Sequence, residues 1–452
     1  MNAAGASPPG TRLGTSLASW VEHPGRVLVG CLVLFLALAP GLARLSLDNS
    51  PERFFVRDAD ALARYERFEF DFGRDRSVRL VFEGPGIWTR EGLAWIAGIE
   101  ESAAHVRGVL ATAGPVAHHR WRLGDDLSAD PAGFRAEVLA DPLDHEAGWV
   151  SDDGTTVTVL VALYKLSSRD QEQVLEALEE RVASPPPGIR AWVTGLPAVQ
   201  RALDRALLEM AEIFFPILAL LALLLLAAVF GGLRGAFRPL VLVLFCQGCV
   251  FGAMGWAGVA VDMVTVVLVP LLFVVTLATA IHLEVRFRAE RRRAASAPAA
   301  ARATLDAKLW AVVCTGGTTA VGFGSLVVAQ LPSVRALGLW SLGGFLFMTA
   351  AAVTLYPALL ARTREAPSSA RQTAFDRLFS RWGGTWAAGA VAHRGRTLGL
   401  FALAGLVAAA GLPRLYLESS FLDYFHHDHP VRRGLDELTA RGLGVISAEL
   451  VL

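Results

Sequence analysis

The sequence predicts a polytopic α-helical membrane protein interrupted by one inserted α+β domain of ferredoxin-like type. Three observations carry that prediction. The 452 residues are 53% hydrophobic and only 19% charged, against about 25% charged in soluble domains. The charges segregate, leaving long apolar stretches, and between the first two of these lies a block, residues 46–210, that alternates strand and helix signals. Finally, the chain matches itself without gaps at an offset of 370 residues.

A helix needs about 20 apolar residues to cross a bilayer. Seven segments meet that length: 26–45, 211–233, 238–258, 262–284, 308–331, 335–361 and 396–414. The first has the look of a secretory signal, with Arg26 ahead of an apolar run. Its recurrence deep inside the chain argues against cleavage. Lys and Arg are unevenly spread among the short loops. Loop 231–238 has two, 284–308 has seven and 362–396 has seven, whereas Gly258–Asp262 has none and the turn before the sixth span has Arg335 alone. Positive loops stay in the cytoplasm. The expected arrangement is a multi-pass cell (inner) membrane protein with residues 1–25, the basic loop 285–307 and the linker 362–395 cytoplasmic, and 46–210 extracytoplasmic. Within the linker, Arg371–Arg381 with Phe375, Leu378, Phe379, Trp382 and Trp386 reads as a basic amphipathic helix lying at the interface.

In the inserted domain, Val78–Phe82 reads as a strand, Arg90–Val106 as a helix and Gly108–Ala117 as a strand. After a polar insert come a strand over Thr155–Leu166, a helix over Asp170–Val182 and a strand over Ile189–Thr194. Two successive βαβ units form a ferredoxin-like split unit. His118-His-Arg-Trp121 reads as a surface loop of the insert.

The self-match aligns His23-Pro-Gly-Arg-Val-Leu with His393-Arg-Gly-Arg-Thr-Leu, and Gly41-Leu-Ala-Arg-Leu-Ser-Leu-Asp with Gly411-Leu-Pro-Arg-Leu-Tyr-Leu-Glu. Over 23–58 against 393–428, fourteen of 36 positions are identical, charged and glycine positions included. This is a tandem duplication at long period. Residues 415–452 then begin a second copy of the inserted domain, ending in an expected strand over Val445–Leu452. A finished second copy implies at least ~740 residues and ~12 spans.

One helix, a large external αβ domain, five helices and a repeat of that pattern resemble the resistance-nodulation-division (RND) superfamily. The resemblance covers nearly the whole chain and extends to residues. Asp48-Asn-Ser-Pro-Glu-Arg-Phe-Phe resembles the approach to the superfamily's porter domain. Thr194-Gly-Leu-Pro197 resembles the lead into the second helix, and Phe230-Gly-Gly-Leu-Arg-Gly-Ala-Phe-Arg-Pro-Leu240 the turn between the second and third. Most specific is Thr315-Gly-Gly-Thr-Thr-Ala-Val-Gly-Phe-Gly-Ser-Leu326, followed by Pro332, Gly338, Gly343 and Tyr356-Pro-Ala-Leu359. These are similar to the fifth and sixth helices of the MMPL and hopanoid-exporter branches, a region shared with sterol-sensing domains. The fifth-span motif singles out Thr318, Thr319, Gly322 and Phe323, for close packing in lipid or for a direct role.

The resemblance implies a secondary exporter of a hydrophobic or lipid-like substrate, driven by the proton-motive force. The alternative is a sterol-sensing-like lipid sensor or scaffold that transports nothing. RND pumps place a proton-relaying carboxylate midway along the fourth helix. Here Thr276-Leu-Ala-Thr-Ala-Ile-His-Leu283 puts Ala278 or Thr279 at that position. What remains is His282, followed by Glu284. Ionisable groups in a span are functional hypotheses by default, so His282, with Thr279 and Thr276, is the coupling candidate. A structural place near the cytoplasmic helix end is the alternative for His282, and Asp262 reads as a helix cap or an interface residue. Expected partners are membrane lipid, the hydrophobic substrate, a C-terminal half of the same protein and a second copy in a homo-oligomer. No nucleic acid is expected at zero net charge. No catalytic residue, metal site or cofactor is expected. Cys246-x-x-Cys249 lies inside a span, where free cysteines act as small hydrophobes, and His426-His-Asp-His429 reads as a polar linker.

Overall fold

The computed structural model describes residues 22–49, 53, 77–123, 130–164, 166, 168–363, 374–415, 430–441 and 443. They fall into two compact units. A membrane unit takes residues 1–56 and 210–416; a sheet unit takes 57–209 and 417–452.

Helix α1, Pro24–Leu38, opens on a proline, whose fixed φ suits the first helical turn, and runs on as a 3₁₀ turn over Ala39–Arg44. The sheet unit then follows the order β1 (Ser77–Glu83), α2 (Arg90–Ala104), β2 (Val109–Ala113), α3 (Pro115–Leu123), α4 (Pro131–Ala140), α5 (Pro142–Glu146), β3 (Thr156–Leu163), α6 (Ser168–Val182) and β4 (Arg190–Thr194). The strands lie in the order β2-β3-β1-β4 with every neighbour antiparallel. That is the ferredoxin-like arrangement the two βαβ units predict.

Strand side chains alternate between faces. Val78, Leu80 and Phe82 of β1 meet Ile96 and Ile99 of α2 and Leu175 and Leu178 of α6 in one core. Val81 points to the other face, where it packs with Trp192, Leu438 and Leu443. Glu83 on β1 is bonded by both Arg190 and Arg441, which hold its carboxyl below the usual carboxylate range despite partial burial.

Two sequence expectations change here. The strand expected to reach Ala117 stops at Ala113, because Pro115 has no N–H for a ladder and suits a first helical turn. Residues 118–121 therefore sit on α3, not in a surface loop, and His119 is buried. The polar insert is three short helices, each starting on a proline. Asp130 and Asp141 cap the second and third by accepting the N–H groups of Gly133 and Leu143.

The remaining helices are α7 (Leu196–Phe230), α8 (Leu233–Trp256), α9 (Leu268–Arg291), α10 (Ala297–Gly324), α11 (Pro332–Ala361), α12 (Ala374–Ala392), α13 (Arg394–Gly411) and α14 (Pro430–Ala440). Among the described residues, α1, α7 to α11 and α13 are seven helices long and apolar enough to cross a membrane. The chain is thus a polytopic helical protein with an inserted α+β domain. Helix α7 has 35 residues, about 52 Å at 1.5 Å per residue; it belongs to the sheet unit through Glu209 and to the membrane unit from Met210. The basic stretch 285–307 is helical on both sides of a short break. Arg286 pairs with Glu290 four residues on, and the Ser296 hydroxyl caps α10.

The membrane unit packs around α8, α9 and α11, with Tyr356, Phe345, Leu242, Met254, Leu268 and Leu272 fully or almost fully buried. Cys246 and Cys249 are free and lie in this core. Helix α1 lies against α8 through glycines. A Cβ on Gly252 would stand 2.2 Å from the Leu38 carbonyl oxygen, and one on Gly255 would stand 1.9 Å from that of Gly41. Small residues permit this approach where lipid offers no hydrophobic drive between helices. Helix α13 buries no residue.

Candidate functional site

Near one end of α9, an acid lies fully inside the helical bundle. Glu284 is 0% exposed, and its carboxylate collects donors from three helices. Arg238 of α8 reaches both oxygens, Nη2 at 2.6 Å from Oε1 and Nε at 3.2 Å from Oε2. Arg288, one turn further along α9, donates from Nε at 3.1 Å. The Tyr356 hydroxyl of α11 donates at 3.0 Å. The arginines are themselves anchored, Arg238 on the Thr363 hydroxyl and Arg288 on the Phe230 carbonyl oxygen. Arg288 also lies over the Phe230 ring, 4.5 Å from its centroid.

Desolvating a carboxylate costs several kcal/mol, and only good geometry with further hydrogen bonds returns it. Here two guanidiniums and a phenol supply both. The cluster ties α8, α9 and α11 together where their ends would otherwise separate.

His282 stands elsewhere. Two residues on a helix are about 200° apart, so Glu284 turns into the bundle and His282 turns out. His282 joins Val274, Ala278 and Val285 in an exposed stripe along α9, and it has no hydrogen-bond partner among the described residues. Thr276 faces another way, into the core, where its side chain is buried. The half-buried Thr279 donates back to the Val275 carbonyl at 2.8 Å. The three residues are therefore on one helix but not at one point. Sequence reading passed over Glu284 for the histidine beside it. The available signal was a pair of arginines, Arg288 four residues on and Arg238 at the head of the preceding span.

The fifth-span motif divides likewise. The Thr318 and Thr319 hydroxyls bond back to carbonyls of Cys314 and Thr315 on their own helix, and Gly322 has open space around it. Phe323 turns inward against Phe345, ring centroids 5.5 Å apart. Close packing of α10 on α11 falls instead on Gly316, which lies against the Thr349 side chain.

At the other end of α9, Asp262 accepts the N–H groups of Val264 and Thr265 at 3.0 and 2.7 Å and the Thr265 hydroxyl at 3.0 Å. Arg53 Nε lies 3.1 Å from its second oxygen. Asp262 thus fastens the turn that leads into the 3₁₀ segment Thr265–Val267 ahead of α9. The tract His426–His429 lies outside the described residues.

The sequence profile of the family described as "MMPL family" matches residues 93–395. Two relatives carry names that refer to membrane character only. One, from Methanocaldococcus jannaschii, is 30% identical over 216 residues, 46% of this chain and 55% of its own length. The other, from Streptomyces coelicolor, is 30% identical over 310 residues, 66% of this chain and 43% of its own length. The chain thus spans about half the length of the relatives it matches.

Proposed function

The chain belongs to the MMPL family, and on that footing we propose that the protein is a proton-driven secondary exporter of a hydrophobic or lipid-like substrate, acting from the cell (inner) membrane with its N-terminus in the cytoplasm. The observation that carries the reading is the extent of the match. Residues 93–395 take in most of the sheet domain together with α7 to α11, so the pairing of an α+β domain with a helical bundle is shared as one unit. The bundle offers lipid or a partner long apolar faces, such as Val29, Leu32, Val33 and Leu36 on α1. The sheet domain would form part of the substrate conduit.

In this reading proton coupling runs through the exposed face of α9. His282 is the titratable group of its stripe, and Thr279 lies beside that face. Glu284 serves differently, with its carboxylate committed to two guanidiniums and a phenol. That commitment favours a second reading, a lipid sensor or scaffold, because Ala278 and Thr279 leave no acid midway along α9.

The test is transport of labelled lipid into vesicles under an imposed proton gradient, comparing the complete protein with its His282→Ala variant. Flux that collapses with unchanged expression makes His282 part of the coupling path. Flux that persists removes His282 from it. No gradient-dependent flux in either protein sinks the exporter reading in favour of the sensor.

A further inference from the structure

The insert of the sheet unit, residues 114–155, brings α3, α4 and α5 together around two adjacent histidines. His119 is fully buried, and its Nε2 lies 2.7 Å from Oδ2 of Asp144, which is also fully buried. Its other ring nitrogen, Nδ1, has no hydrogen bond; the nearest acidic oxygen is Glu137 Oε1 at 3.9 Å. The second oxygen of Asp144 is likewise buried without a donor. His118 packs edge-on to His119, centroids 4.8 Å apart, and its Nε2 lies 3.4 Å from Asp141 Oδ2. One donor atom from each of His118, His119 and Asp144 lies within 4.8 Å of the others.

We propose that this cluster is a binding site for a divalent transition-metal cation of the zinc class, held by His118, His119 and Asp144, with Glu137 and Asp141 orienting the imidazoles. A proton does not satisfy the cluster as well as a cation. A second proton on His119 makes Nδ1 a donor whose nearest acidic oxygen, Glu137 Oε1, is 3.9 Å away, and it leaves the second oxygen of the Asp144 carboxylate without a donor. A cation is bound by lone pairs and takes imidazole and carboxylate at once. Burial pushes the Asp144 carboxyl above the usual carboxylate range, a direction that a bound cation reverses. Two imidazoles and a carboxylate suit zinc, cobalt or nickel, whereas calcium and magnesium take oxygen ligands.

Donors around a tetrahedral zinc ion with bonds of about 2.1 Å stand about 3.4 Å apart. The widest pair, within 4.8 Å, must close by about 1.4 Å, and His119 Nε2 and Asp144 Oδ2, 2.7 Å apart, must part to admit the ion. His118 is the side chain with room to move, being 23% exposed while the other two are closed in. The site's place in the fold supplies a role. The insert contributes Val116, Phe134, Val138 and Val150 to the domain core, a thin share for three helices. A metal joining α3 to α5 staples them, because binding free energy at such a site is folding free energy. Sequence reading placed these histidines in a surface loop and expected no metal site.

The test uses the full chain, purified without a polyhistidine tag, stripped with chelator and titrated with Co²⁺. One equivalent should produce the visible absorption of a protein-bound cobalt ion, and Zn²⁺ should displace it. His118→Ala should weaken binding about tenfold or more with unchanged circular dichroism. The triple variant His426→Ala, His427→Ala, His429→Ala should bind as the parent does. Zinc should also slow amide hydrogen exchange across residues 115–147 of the parent, a readout independent of any substitution. Absence of the cobalt band, its survival in His118→Ala at parental affinity, its loss in the triple variant, or unprotected amides in 115–147 would each overturn the assignment.

Discussion

Glu284 of the membrane unit and Asp144 of the sheet unit are both fully buried carboxylates, and their surroundings are opposite. Glu284 in the membrane unit is surrounded by donors, so that both oxygens are bonded and the two arginines are anchored in turn. In the sheet unit, Asp144 and Glu100 each keep one buried oxygen without a donor. Glu100 accepts the Ala117 N–H at the start of α3 at 3.2 Å, and burial raises its pKa to about 7. Lipid offers no water to a half-satisfied acid, so a span that buries one must complete its partners from neighbouring helices. A domain bathed in water can hold a half-satisfied acid close to its surface, where a proton or a cation completes it. The first device locks helices together; the second responds to the medium.

The largest expected effect tests the lock. Glu284→Leu leaves two arginines facing each other in the bundle and should destabilise the membrane unit by about 3–5 kcal/mol, read from denaturant unfolding of the detergent-solubilised chain. A loss below about 1 kcal/mol would place the cluster among surface ion pairs and break the comparison.

Next comes the responsive acid. With a folded pKa of about 7 against about 4.3 unfolded, the native state binds the Glu100 proton more tightly. Its contribution therefore favours folding below about pH 4 and is lost as pH rises through 7. Glu100→Gln, which keeps an acceptor for the Ala117 N–H, should be more stable than the parent at pH 8, by up to about 4 kcal/mol. It should also flatten the pH dependence between about 4 and 7. Equal stability of the two proteins at pH 8 would mean that the site is already hydrated.

Gly252→Val should cost about 1–3 kcal/mol, since the new Cβ meets the Leu38 carbonyl oxygen at 2.2 Å. Loss of disulfide crosslinking between cysteines introduced on α1 and α8 would register the separation, and unimpaired crosslinking would contradict this close approach. The smallest effect is expected from Thr318→Val, whose hydroxyl bonds only to its own helix. Stability should move by less than about 0.5 kcal/mol. Lost transport with that stability intact would give the threonine a direct role.

Composition, charge segregation and period determined much of this protein before any coordinates. Seven apolar helices follow from the length an apolar run needs, and the ferredoxin-like sheet follows from two βαβ patterns of period two and 3.6. The capping role of Asp262 was legible because its donors, on Val264 and Thr265, lie within three residues. The sequence alone did not place Pro115 at a helix start rather than inside a strand, and that one shift moved two histidines from a loop into a buried cluster. Nor did it separate His282 from Glu284. Two residues apart in sequence, they turn to opposite sides of α9, and which side is inward depends on where α8 and α11 pack. Tertiary structure decided those points because a side chain's partners at long range are set by the contacts of whole helices, whereas hydrophobic period and chain length act locally.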